Sequence, residues 1–237
     1  MKKILLAALM TLYSVQIFAQ SAQDILKGMT SGEKVKVKPE YNFAGSLKFE
    51  TSNVYKGKPS KGEMRWYFPL ANEALFGTLM KMGEGTGKDV RAVIDYNNKA
   101  MIMFMEEQKM VMGIPLDIEK TMKDIQNDPK TKVSSPKKTG RKKTILGYAC
   151  EEWVSDNTDY TSSMWMSDKV PIASASFYKI MSQQLFKSTG TPMPTDMKGI
   201  PLEIQSTTKK TGDKYGMICT EISNKPTKFS TAGYKTM

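Results

Sequence analysis

The run Ala100-Met-Ile-Met-Phe-Met-Glu-Glu-Gln-Lys-Met-Val-Met-Gly113 constrains this chain more than any other segment. Methionines alternate with other residues on both sides of a short polar stretch, which is the pattern of a β-hairpin. An even-length loop centred on Glu107 and Gln108 sets Met105 opposite Met110 and Met103 opposite Met112. Side chains alternate faces along a strand, so the four thioethers share one face while Phe104 and Val111 share the other. A flexible thioether surface suits either a core or a shape-tolerant binding wall.

The first residues carry a different signal. Lys2 and Lys3 precede an apolar run from Ile4 to about Phe18 that ends at Ile17-Phe18-Ala19. A charged start, a short apolar stretch and a small residue at the cut describe a secretory signal peptide over residues 1–19. Thr11, Ser14 and Gln16 interrupt the run, which is shorter than the roughly 20 apolar residues of a membrane span. The chain is therefore expected to be exported and soluble after cleavage near Ala19. The expected compartment is the bacterial periplasm, with secretion as the alternative.

The chain has 237 residues and a formal net charge of +11. That length fits one domain with a real core. Losing residues 1–19 removes only Lys2 and Lys3 from the basic total, so the mature chain stays basic. In an exported chain this charge points away from nucleic acid and toward anionic lipid or envelope polymers. The basic stretch Lys130–Lys143 is the candidate contact for an anionic membrane surface. A solvated lysine surface is the simpler reading of it.

Periodicity divides the chain into an N-terminal extension, residues 20–40, and a single domain, residues 41–237. Alternation begins at Tyr41, with Phe43, Leu47 and Phe49 on one face. After a turn at Lys56-Gly57-Lys58-Pro59, Met64, Trp66 and Phe68 alternate with Glu63, Arg65 and Tyr67. Further strands are predicted over Val90–Tyr96, the methionine hairpin, Thr144–Ser155, Ser162–Ser167, Leu202–Thr208 and Tyr215–Ser223. Helical spacing is predicted over Ala22–Met29, Ala71–Met82, Ile118–Ile125 and Phe177–Leu185. Lys130–Lys143 reads as a loop or a hydrophilic strand entry. Tight-turn strand pairs with helices between them predict an α+β fold, an antiparallel curved sheet with helices packed on it.

The chain contains no histidine. That excludes Ser-His-Asp and Cys-His nucleophilic machinery and imidazole metal sites. Gly83-Glu-Gly-Thr-Gly87 lacks the ending of a phosphate-binding loop. Glu151 and Glu152 are neighbours on a predicted strand, hence on opposite faces, and cannot act as a pair. Asp156 and Asp159 flank a turn. Methionine thioethers select Cu(I), but such sites mix in His or Cys, and these methionines interleave with Ile102 and Phe104. No enzyme activity, metal or cofactor is expected. Cys150 and Cys219 either form a disulfide, as paired cysteines do in an oxidising compartment, or remain two separate buried thiols.

Three segments carry a family resemblance. They are Thr139-Gly-Arg-Lys-Lys-Thr-Ile-Leu-Gly-Tyr-Ala-Cys-Glu-Glu-Trp153, the strand Ser163-Met-Trp-Met166 and the ending Phe229-Ser-Thr-Ala-Gly-Tyr-Lys-Thr-Met237. With the signal peptide they resemble the exported bacterial family known as domain of unknown function 4412. That resemblance implies a fold similar to the Lol periplasmic lipoprotein carriers, a half-barrel with helices on its concave face. It supplies no catalytic residue. A carrier-like fold implies an apolar lining, and the residues placed to form it are Met64, Trp66, Phe68, Met103, Met105, Met110, Met112, Met164 and Met166. Trp165 falls on the face opposite Met164 and Met166. The leading expectation is a non-enzymatic binder or carrier of a lipid or a lipidated protein. An envelope scaffold without a ligand cavity is the alternative.

Overall fold

A computed structural model describes residues 35–70, 74–81, 89–116, 136–156, 160–171 and 197–236. All regular structure in them is strand. In chain order the strands are β1 Glu40–Tyr55, β2 Lys58–Pro69, β3 Leu75–Lys81, β4 Asp89–Asp95, β5 Ala100–Met105, β6 Met110–Pro115 and β7 Lys137–Ile145. They continue with β8 Tyr148–Asp156, β9 Tyr160–Ser167, β10 Ile200–Thr208, β11 Lys214–Ser223, β12 Thr227–Ser230 and β13 Lys235–Thr236.

These strands join into one open curved sheet. Its order is β13-β6-β5-β4-β3-β2-β1-β11-β10-β9-β8-β7, with β12 also pairing with β1. Neighbours are antiparallel, apart from β13, which runs parallel to β6. The pairing of β1 with β11 joins the two halves of the sheet, so they meet only late in the chain.

Among the described residues the expected α+β class is corrected to all-β. Ala71–Met82 was the helix prediction that falls on described residues, and Leu75–Lys81 is instead strand β3 between β2 and β4. Leu75, Leu79 and Met82 have helical spacing, but Gly77 and Thr78 are poor helix formers in the middle of the run. Two flanking strands supply the backbone partners, and pairing overrides that periodicity. The other predicted helices, 22–29, 118–125 and 177–185, lie outside the described residues. So do the signal peptide and the Gly83–Gly87 segment.

Two further expectations change. Thr144–Ser155 is not one strand, because Leu146 and Gly147 both take positive φ, 50° and 83°, and turn the chain between β7 and β8. Both central residues of a type I′ hairpin turn need that conformation, and Gly147 adopts it without strain. Of the two readings of the basic stretch, a loop or a hydrophilic strand entry, residues 137–143 take the second, as part of edge strand β7. Phe43 also leaves the face of Leu47 and Phe49, because a bulge between Phe43 and Gly45 shifts the β1–β2 register. One extra residue moves a side chain to the opposite face.

The two faces of the sheet carry separate cores. On one, Leu47, Phe49, Trp66 and Phe68 are fully buried together with Leu202, Ile204 and Met217. Each such side chain contributes roughly 1.5–3 kcal/mol by leaving water. On the other, Tyr41, Phe43, Tyr67, Val93, Ile102, Phe104, Val111 and Phe229 form a second cluster. The chain ends close over this cluster. Val35 and Val37 pack on it from the N-terminal side and Tyr234 from the C-terminal side. Residues 35–39, within the predicted N-terminal extension, are therefore fixed, with Lys38 Nζ 2.9 Å from the fully buried Asp95 carboxylate.

Candidate functional site

The hairpin register is the one its sequence pattern predicts. Met105 pairs with Met110, Met103 with Met112 and Phe104 with Val111. Opposed residues share a face, so the pairings can be followed across the sheet. One row runs Leu47–Trp66–Thr78–Ala92–Met103–Met112 over β1 to β6. Another runs Met217–Ile204–Met164–Trp153 over β11 to β8. Phe49 joins them, opposite Met64 on one side and Cys219 on the other.

All nine expected lining residues thus lie on one methionine-rich face, in two groups. Met64, Trp66, Phe68, Met164 and Met166 belong to the main buried cluster. Met112 belongs to a smaller cluster with Met101 and Ile114, and the half-buried Met103 and Met105 pack against it. Met110, also half-buried, stands opposite Met105. Val170 and Met197 pack into the main cluster from just beyond β9 and just before β10.

Between the two groups the side chains shorten. Thr78 and Ala92 are the small residues of the row that joins Trp66 to Met103. Thr78 Oγ1 is the one buried side-chain polar atom among the described residues with no hydrogen-bond partner. A buried hydroxyl in that state costs about 1–3 kcal/mol. This face therefore carries a single unsatisfied donor at its centre, and the sequence offered no sign of it.

The opposite face holds a polar cleft at the β7 end of the sheet. Its floor is a grid read from the pairings: Glu152–Trp165–Glu203, Val154–Ser163–Gln205 and, one step along, Thr161–Thr207. The cleft is shallow and open, with a volume of about 520 Å³, and Arg141 and Lys143 of β7 complete its lining. Glu152 is 2% exposed and accepts hydrogen bonds from Arg141 and from Thr139 Oγ1. Glu203 accepts from Lys143 Nζ at 2.5 Å and from Gln205 Nε2 at 2.8 Å. The Lys143 ammonium lies 4.2 Å from the Trp165 ring centroid. Sequence reasoning placed Trp165 opposite Met164 and Met166, as found, but missed this constellation. Its members come from four strands with no local motif.

Cys150 and Cys219 are free, buried thiols. Each donates to a backbone carbonyl two residues away, Tyr148 or Glu221. Burial pushes the Cys150 thiol up, and pushes Cys219 to about 12. Glu151 and Glu152 do occupy opposite faces, opposite Met166 and Trp165. Among the described residues no cluster of Cys, Asp and Glu has the makings of a metal site.

The comparisons with known proteins follow this geometry. No curated protein matches the chain at a significant level. Among solved structures, PNGF-II is 14% identical with a TM-score of 0.38, covering 81% of this chain and 30% of its own. MucB of Pseudomonas aeruginosa in complex with MucA is 8% identical with a TM-score of 0.38, covering 78% and 52%. A candidate outer membrane lipoprotein-sorting protein domain from Vibrio parahaemolyticus is 8% identical with a TM-score of 0.27, covering 84% and 90%. The chain spans less than two thirds of PNGF-II and of MucB. Likenesses this low leave the assignment to the family comparison. The model described as Domain of unknown function (DUF4412) matches residues 43–231, from within β1 to just past β12, and the chain belongs to that family.

Proposed function

We propose that this chain is an exported, non-enzymatic periplasmic protein that binds and carries an acylated ligand, a lipid or a lipidated protein, on its methionine face. The observation that carries the reading is the composition of that face. Half-buried thioethers of Met103, Met105 and Met110 stand at one end, and a partnerless Thr78 hydroxyl lies between them and Trp66. Methionines adapt their shape to irregular apolar chains. An acyl chain is apolar along its length and ends in an ester or amide carbonyl, which would accept a hydrogen bond from Thr78. The export signal of residues 1–19 supports the compartment.

The scaffold alternative, and an anionic membrane contact through Lys130–Lys143, draw less support. In the described part of that stretch Lys138 and Lys142 already pair with Glu151 on the neighbouring strand. Native mass spectrometry of the protein purified from its own cell envelope tests the proposal. A bound acyl species released on unfolding is expected. Protein that is ligand-free and fails to take up added phospholipid or acylated peptide would overturn it.

A further inference from the structure

We infer that the cleft over β8, β9 and β10 is a second ligand site, built for an acidic saccharide. It lies on the face of the sheet opposite the methionines, so its fate is independent of the acyl-ligand reading.

Burial separates the charges of the cleft by depth. The carboxylate side chains of Glu152 and Glu203 are 3% and 9% exposed, whereas those of their partners Arg141 and Lys143 are 67% and 33% exposed. The anions sit behind and the cations in front. A ligand therefore meets positive charge held in place by buried carboxylates, and Arg141 and Lys143 fit a carboxylate group. Two ion pairs at such depth are a weak source of stability, since desolvation offsets most of their attraction. Positioning of the cations is what they supply.

The rest of the cleft narrows the ligand. Ser163 is a small residue two positions before Trp165 on β9, so the half-buried indole borders a low floor, with the Lys143 ammonium over its ring. That floor carries Ser163, Gln205, Thr161 and Thr207, groups that both donate and accept hydrogen bonds. Three strands and two steps along them make it about 10 Å wide and 13 Å long. A sugar ring has an apolar C–H face for an aromatic wall and a rim of hydroxyls for such a floor. An acidic peptide would engage the cations, and its backbone the floor, but it presents no ring with an apolar face and a hydroxyl rim. The cleft volume of about 520 Å³ is within the usual range of small-ligand sites.

Calorimetric titration with a hexuronic acid tetrasaccharide tests this, with a neutral glucose tetrasaccharide and polyglutamate as comparisons. Binding of the uronate with at least tenfold preference over both is expected. Ser163→Phe fills the floor without touching an ion pair, and Lys143→Gln combined with Glu203→Gln removes one pair without stranding a buried charge. Each should weaken uronate binding at least tenfold while the protein still unfolds cooperatively. No uronate binding at millimolar concentration overturns the inference. Equal binding of glucose tetrasaccharide or polyglutamate, or unchanged binding by a folded Ser163→Phe variant, overturns it as well.

Discussion

Thr78 on β3 stands directly across from Trp66 on β2, and its buried hydroxyl has no hydrogen-bond partner. The neighbours along their row are apolar, so the hydroxyl is a cost to the protein, and under the proposed function it is the donor an acyl carbonyl would meet. Thr78→Val should raise stability by about 1–3 kcal/mol. It should also weaken binding of an acyl ester or amide while leaving binding of a plain alkane unchanged. Urea unfolding and displacement of an acyl-chain fluorophore measure the two effects.

Gly77, one residue earlier, faces the opposite way and lets Phe43 approach. A Cβ at Gly77 would lie 2.7 Å from Phe43 Cζ and 3.0 Å from Tyr67 Cβ. Neither ring can retreat, because Phe43 also packs on Tyr67 and Phe229. Gly77→Ala should therefore destabilise the protein by about 1–3 kcal/mol, read from the midpoint of urea unfolding.

The thiols give a chemical test of the main buried cluster, to which both belong. With Cys219 pushed to about 12 by burial and Cys150 pushed up for the same reason, neither is a thiolate at pH 8. Folded protein should resist iodoacetamide at pH 8, and unfolded protein should take up two equivalents. Mass spectrometry before and after denaturation reads both numbers. An unfolded, unreduced protein that takes up none would establish a disulfide instead.

Acid should loosen the C-terminal closure first. Burial alone would raise the Glu106 carboxyl, but the Tyr234 hydroxyl and the Arg91 guanidinium outweigh it and hold the group below the ordinary carboxylate range. A depressed folded pKa contributes stability above the unfolded value and loses it as pH falls through the folded one. Protection of the β13 amides and the Tyr234 amide, taken relative to the intrinsic exchange rate at each pH, should fall below about pH 4, before that of the central strands β1 and β2. Glu106→Gln should remove that pH dependence at a cost of about 1 kcal/mol. Hydrogen exchange across a pH series follows it.

Much of the sheet was legible because its signals are local. The four methionines of β5 and β6 alternate across one short turn, and that pattern alone fixes their pairing. Met64, Trp66 and Phe68 alternate with charged partners in the same way. The β7–β8 turn escaped notice because Leu146 occupies a positive-φ position that favours Asn, Asp or Gly. Strand β3 was misread because Leu75, Leu79 and Met82 imitate a helix, and only its neighbours reveal it as a strand. The bulge that turns Phe43 over has no sequence signature at all. The polar cleft was illegible for a different reason. Glu152, Trp165 and Glu203 come together through pairings of β8 with β9 and β9 with β10, and such long-range register is not written in any one segment.

The most direct test of the account is photo-crosslinking with a diazirine-bearing fatty acyl probe, followed by peptide mapping. The account predicts labelling concentrated on Met103, Met105, Met110 and Met112, reduced by competition with unlabelled lipid. Labelling confined to other segments, or no labelling that lipid competes away, would contradict it.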